Sequence, residues 1–241
     1  MRSIPLLLFF CLGTSSALNI LVYNVKFAVS HSNFMGKVAD ELASAGHNVT
    51  SLISELLPPL KDGTSKTKIV RVALDPDAGE RWLWRITLKD YNPYTRIDDF
   101  SYQIENSWSF AEAFARQCAS LVKDKELLQS LTESQFDVFI TETIDYCGVG
   151  LHHAIKSKTL ITVSSAALLE LNAREFGMSS QTSYIPAWRY GLMNIQSVWE
   201  RILNTYLTFT GDYYLWKTRE ACERVFKDQY GSEFPDLAVL S

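Results

Sequence analysis

The first two thirds of the chain alternate between two hydrophobic periods. Residues 18–25 are apolar nearly throughout, as expected of a parallel strand buried on both faces. Phe34, Val38, Leu42 and Ala45 then recur at spacings of four, four and three, which draws one stripe along a helix that Gly46 stops. A second strand follows at 49–53. Pro58-Pro59 and the polar residues 61–68 make a turn-rich connection, and residues 69–74 form a third strand closed by Asp75-Pro76-Asp77. Residues 80–97 carry tryptophan, tyrosine and charge without a period and read as a loop or irregular helix. One helix is predicted over 110–131, a buried strand over 136–140, a short helix around 151–155 and a strand over 159–163. Strands and helices in this alternation predict an α/β fold, a Rossmann-like parallel sheet with helices on both faces.

After Ser164 the character changes. Residues 177–186 are loop-like, and 193–226 hold long helical patterns with Trp199, Tyr206, Phe209, Tyr213, Tyr214, Trp216 and Phe226. Core and interface packing is the first expectation for such a stripe. The alternatives are the wall of a lipophilic pocket or a face in contact with a membrane surface.

Composition narrows the class. Residues 1–17 read as a signal peptide: Arg2 is the positive end, residues 4–12 are apolar, and Ser15-Ser16-Ala17 supplies small residues for cleavage. That segment is too short for a permanent membrane span. It directs the chain to the secretory pathway, with the endoplasmic reticulum lumen or its membrane as destination, or secretion if no anchor follows. Cleavage removes Arg2 and moves the formal charge from −4 to −5, and with no basic run this argues against nucleic acid. The remaining residues, 18–241, are enough for one large domain or two small ones, and are read as one. They contain Cys118, Cys147 and Cys222, an odd number whose pairing the spacing leaves open. Cys147 reads as a buried thiol, since no basic neighbour would activate it. Asn48-Val49-Thr50 is a glycosylation sequon, with Asn48 the acceptor.

The chemistry is sparse. G-x-G-x-x-G, Walker, H-E-x-x-H and G-x-S-x-G patterns are all missing from the sequence, so no cofactor or metal is called for. What remains is a pair. His31 follows the first strand on the turn into the first helix, and Glu142 follows the strand 136–140. In a parallel sheet both fall at the carboxyl edge, where ligands bind. If their strands are neighbours or next-neighbours, the strand ends lie roughly 5–10 Å apart. A carboxylate on one imidazole nitrogen fixes the tautomer and stabilises the ring once it takes up a proton. The positive end of a helix disfavours imidazolium, and the neutral ring is the form a general base needs. The plain alternative is a loop histidine near a turn carboxylate, which is commonplace. Ser30 and Phe34 on the same turn, with Asp145 as the rival carboxylate, are candidate acceptor contacts. His47 reads as serving a helix end. His152 and His153 lie on the short helix, in a solvated or capping role unless one faces the carboxyl edge.

Several blocks in order resemble the amino-terminal half of the UDP-glycosyltransferases of the UDP-glucuronosyltransferase type. They are Ser30-His31 with Phe34-Met35-Gly36, Ala39-Asp40-x-Leu42 leading to Gly46-His47-Asn48-Val49-Thr50, Phe136-Asp137-Val138, Cys147-Gly148, Thr182-Ser183-Tyr184-Ile185-Pro186, and Arg201-x-x-Asn204. The resemblance implies the amino-terminal domain of a GT-B fold. In that fold this half holds a small lipophilic acceptor, and a carboxyl-terminal half binds the UDP-sugar. It implies that His31 is the general base of an inverting transfer to an acceptor hydroxyl and that Glu142 stands where the family usually has aspartate. The co-substrate would be UDP-glucuronate or another UDP-sugar, bound mainly by a donor domain outside this chain. The alternative is a non-catalytic lumenal binder of lipophiles, or a truncated partner that associates with full-length relatives.

Overall fold

The computed structural model describes residues 17–79, 100–179, 181–187 and 196–240. The expected signal peptide, save Ala17, and the irregular stretch 80–97 lie outside the described residues. Five strands, β1 (Asn19–Lys26), β2 (Asn48–Glu55), β3 (Lys68–Val72), β4 (Val138–Glu142) and β5 (Thr159–Val163), form one sheet in the order β3-β2-β1-β4-β5. Every pairing is parallel. The helices bounded within the described residues are α1 (Val29–Ser44), α2 (Phe100–Lys123), α3 (Lys125–Glu133), α4 (Tyr146–Ile155), α5 (Glu170–Glu175), α6 (Val198–Tyr230) and α7 (Leu237–Leu240).

The two-residue alternation of a strand sorts β1 between two cores. Ile20 and Val22 face Met35 and Ala39 of α1, with Val49 and Ile140 alongside. Leu21, Tyr23 and Val25 face the opposite way, into a larger cluster with Leu52, Phe139, Phe114, Leu121, Leu151, Leu215 and Phe226. Helices therefore cover both faces. The approach of α1 is close: a Cβ on Gly36 would overlap the carbonyl carbon of Gly63, and one on Gly63, at φ +77°, would overlap the Ser32 carbonyl oxygen. Asp40 holds the same loop, accepting from Thr64 Oγ1 at 2.5 Å and from the Ser65 and Lys66 amides at 3.0 Å. These bonds hold its carboxyl down at about 2, against the opposing effect of burial.

Three expectations are corrected, and His152 and His153 keep their plain reading. The helix read over 110–131 is two, because Asp124 caps α3 by accepting from the Leu127 amide at 2.9 Å; aspartate prefers a cap to a helix interior. Cys147 is not a thiol: it is bonded to Cys118, tying α4 to α2, and among the described residues Cys222 on α6 is the free cysteine, and is buried. His152 and His153 face the amino edge of the sheet, where α4 ends; His152 Nδ1 meets Ser157 Oγ and His153 packs on Phe234. The aromatic stripe of α6 is core only in part. Phe226 is fully buried, whereas Trp199, Tyr206 and Phe209 are exposed. A helix of 33 residues is about 50 Å long, and its first turns run past the eight-residue strands.

Candidate active site at the carboxyl edge

The strand order reverses between β1 and β4, and the two strands part there. Their pairing stops at Val22–Ile140, while β1 stays on β2 as far as Lys26–Glu55 and β4 stays on β5 as far as Glu142–Val163. Such a switch point opens a crevice outside the carboxyl ends of the strands.

His31 enters this crevice from α1. The helix begins at Val29, so His31 lies within its first turn and not on a preceding loop. The apolar stripe could not show this, because Ser30, His31, Ser32 and Asn33 are polar. Glu142, the last residue of β4, meets it from across the switch point: His31 Nδ1 is 2.6 Å from Glu142 Oε1. The glutamate is 7% exposed, and 19% of the histidine side chain reaches solvent. Phe27 packs its ring 4.4 Å from the imidazole centroid and is itself backed by Phe114 at 5.1 Å and Phe110 at 6.0 Å. The imidazole is thus held by a carboxylate at one edge and an aromatic face on its side. Two lone pairs at 2.6 Å would repel, so Nδ1 carries a proton. Nε2 is then the basic nitrogen of the ring.

A third group was not legible in the sequence. Ser165, two residues beyond β5, places its hydroxyl 2.8 Å from His31 Nδ1 and in short contact with Glu142 Oε1. A signal existed only in the topology, since β5 neighbours β4 and ends at the same edge.

The other candidate residues fall elsewhere. Ser30 is exposed on the first turn of α1. Phe34 packs on the small core between α1 and the sheet, away from the His31–Glu142 pair. Asp145 is 3% exposed and caps α4, accepting from the Cys147 amide at 3.0 Å. Burial pushes its carboxyl up to about 7, with the Cys147 amide opposing and the Glu142 charge adding to the rise. Asn48 lies at the opposite, amino edge, exposed, and donates to Asn19 Oδ1 at 2.9 Å; Thr50 of the same sequon is buried. His47 accepts from the Leu18 amide at 3.3 Å just past the end of α1.

The chain has relatives in both nematodes and mammals. It is 25% identical over 238 residues to a putative UDP-glucuronosyltransferase, ugt-46, of Caenorhabditis elegans, covering 98% of this chain and 44% of the relative. It is 26% identical over 213 residues to UDP-glucuronosyltransferase 3A1 of Bos taurus, covering 86% and 38%. The chain therefore spans about two fifths of the length of these relatives. Among solved structures, the glycosyltransferase SnogD of Streptomyces nogalater aligns with a TM-score of 0.49 and 13% identity over 91% of this chain and 44% of its own. The sequence model of one family, described as UDP-glucoronosyl and UDP-glucosyl transferase, matches residues 19–239. With all of the described sheet inside that match, the chain belongs to the UDP-glucoronosyl and UDP-glucosyl transferase family.

Proposed function

We propose that this chain is the amino-terminal, acceptor-binding half of an inverting UDP-glycosyltransferase that works on hydroxyl groups of small lipophilic molecules, with His31 as general base. The observation that carries the reading is the His31–Glu142 pair at the switch point, with Nδ1 protonated by its 2.6 Å contact and Nε2 left as the base. Nε2 takes the proton of the acceptor hydroxyl as its oxygen attacks the anomeric carbon of the UDP-sugar, and UDP leaves from the opposite face. Glu142 stabilises the imidazolium so formed. The family supports the transfer, and Phe27, backed by the buried Phe110 and Phe114, holds the imidazole in place for it. The sugar nucleotide is assigned to a second domain, because this chain spans only 44% of its relative. The Cys118–Cys147 disulfide supports passage through an oxidising, secretory compartment, as residues 1–17 suggest.

The test is kinetic. In a form of the protein that carries a donor domain, His31→Ala should lower kcat by about 10²–10⁴-fold and leave the acceptor KM nearly unchanged. Undiminished turnover would remove His31 from the mechanism and favour a lipophile-binding role for this fold.

A further inference from the structure

Three strand ends meet at the crevice, and the third brings the hydroxyl that the dyad alone does not require. The register sets Val163 of β5 opposite Glu142 of β4, and the Thr143 amide donates to the Val163 carbonyl at 2.9 Å. Ser165 lies two residues further, in the bend where the chain leaves β5. Its own loop is braced by Ser164 Oγ, which donates to the Ala166 carbonyl at 3.0 Å. The Ser165 hydroxyl is thereby delivered to the one carboxylate oxygen that His31 also uses.

The three contacts of this triangle limit where its hydrogens can lie. Nδ1 and Oγ each hold one hydrogen, and Oε1 of the ionised glutamate holds none. Were Ser165 to donate to Nδ1, that nitrogen would be bare and would face the carboxylate at 2.6 Å, lone pair to lone pair. Nδ1 therefore holds its hydrogen, within reach of both Oε1 and Oγ, and the Ser165 hydroxyl donates to Oε1. The same geometry excludes a hydrolytic triad. A nucleophilic serine must sit at the nitrogen opposite the carboxylate, and Ser165 sits at the same one.

We propose that Ser165 is a positioning residue of this site, its hydroxyl donating to Glu142 Oε1 and so pinning the carboxylate that keeps His31 in the Nδ1-protonated tautomer. The glutamate side chain has one more rotatable bond than aspartate, and an unpinned carboxylate could turn away from the ring. The proposal rests on the His31–Glu142 reading above and adds the group that holds the carboxylate.

The full 241-residue chain, labelled with ¹⁵N-histidine, tests it without turnover. Long-range proton–nitrogen spectra report which ring nitrogen is protonated, and His31→Ala assigns the signals. His47, whose Nδ1 accepts from the Leu18 amide, is an internal standard for the opposite tautomer. The wild-type chain should show His31 as Nδ1–H. Ser165→Ala should lower its tautomer ratio about tenfold, the loss expected for one hydrogen bond to a charged group. His47, His152 and His153 should not move, and Ser165→Thr should restore the ratio. If Ser165→Ala does not fold, Ser165→Cys, similar in shape and a weak donor, should show the same loss. A His31 ratio unchanged in Ser165→Ala or Ser165→Cys overturns the role of Ser165 and leaves the dyad standing. A wild-type His31 without the Nδ1–H bias overturns the dyad itself.

Discussion

Asp145 shows how far a residue's chemistry depends on depth. Beside Glu142 in sequence, it reads as a rival carboxylate; in the fold it is a buried helix cap whose carboxyl is raised from 3.8 to about 7. The sign of the consequence is fixed. Below about pH 4 the group is protonated in both folded and unfolded chains. Between about pH 4 and 7 the unfolded chain releases the proton while the folded chain keeps it, so the folded state loses ground as pH rises. Each unit of displacement is worth about 1.4 kcal/mol. The amide side chain of the variant Asp145→Asn would still cap α4, since asparagine is as good a cap as aspartate. Asp145→Asn should therefore gain stability relative to wild type steadily from about pH 4 to 7. Urea midpoints at about pH 4, 5.5 and 7 measure this, and a difference that shrinks with pH would contradict it. Asp40 and Asp62, both lowered to about 2, lose their stabilisation below this window and in both proteins alike. His31 and Glu142 could be read as a pair because each follows an unmistakable buried strand. Ser165 could not, because a serine after a strand is ordinary and its meaning depends on the register of three strands.

At the scale of elements, the family's sequence blocks resolve into fastenings. Gly36 lets α1 approach residues 62–66, Asp40 clamps that loop, and Gly148 brings α4 onto β4, where a Cβ would overlap Thr141 Oγ1. Asn204 fastens the connection that precedes α6. Fully buried, it donates to the carbonyls of Thr182 and Ile185 at 2.7 and 2.8 Å and accepts from the Ala187 amide at 2.7 Å. This explains why Thr182–Pro186 and Arg201-x-x-Asn204 go together as blocks: one side chain supplies the hydrogen bonds that the loop backbone lacks. Asn204→Ala strands three backbone groups and should cost about 2–4 kcal/mol of stability. It should also expose 182–187 to limited proteolysis before the sheet unfolds. A variant as stable and as resistant as wild type would show that the loop is held by other means. Periodicity located the strands well: β1 and β4, buried on both faces, leave a nearly continuous apolar signature, and the partly exposed edge strands β3 and β5 keep short runs rich in β-branched residues. It placed the helix starts poorly: α1 opens on four polar residues after Val29, and the break at Asp124 lies in a single cap.

At the scale of the molecule, the question is what this fold does with a sugar nucleotide. A diphosphate needs free amides at a helix start or unpaired cations. Among the described residues, α1 and the six-residue α5 begin at the carboxyl edge without a side-chain cap, but acids crowd or close the starts of α1 and α4 and the nearby cations are paired. The first turn of α1 carries His31 against Glu142, and the first turn of α4 is closed by the Asp145 carboxyl. The cations near this edge are engaged: Lys26 with Glu55 at 2.9 Å and Asp62 at 3.3 Å, Arg71 with the same two acids, and Arg219 with Glu175. Breaking such partly buried pairs to free a cation costs more than breaking an exposed pair would. The chain alone should therefore show no saturable binding of UDP-glucuronate at micromolar concentration in a calorimetric titration. A micromolar dissociation constant corresponds to about 8 kcal/mol, more than the few uncapped amides of α1, with no unpaired cation shown beside them, are expected to supply. Heat that saturates in the micromolar range would mean that this half holds the donor, and the division of labour between the two halves would have to be redrawn. A null titration together with the kinetic loss in His31→Ala would place proton transfer here and phosphate recognition in the other half.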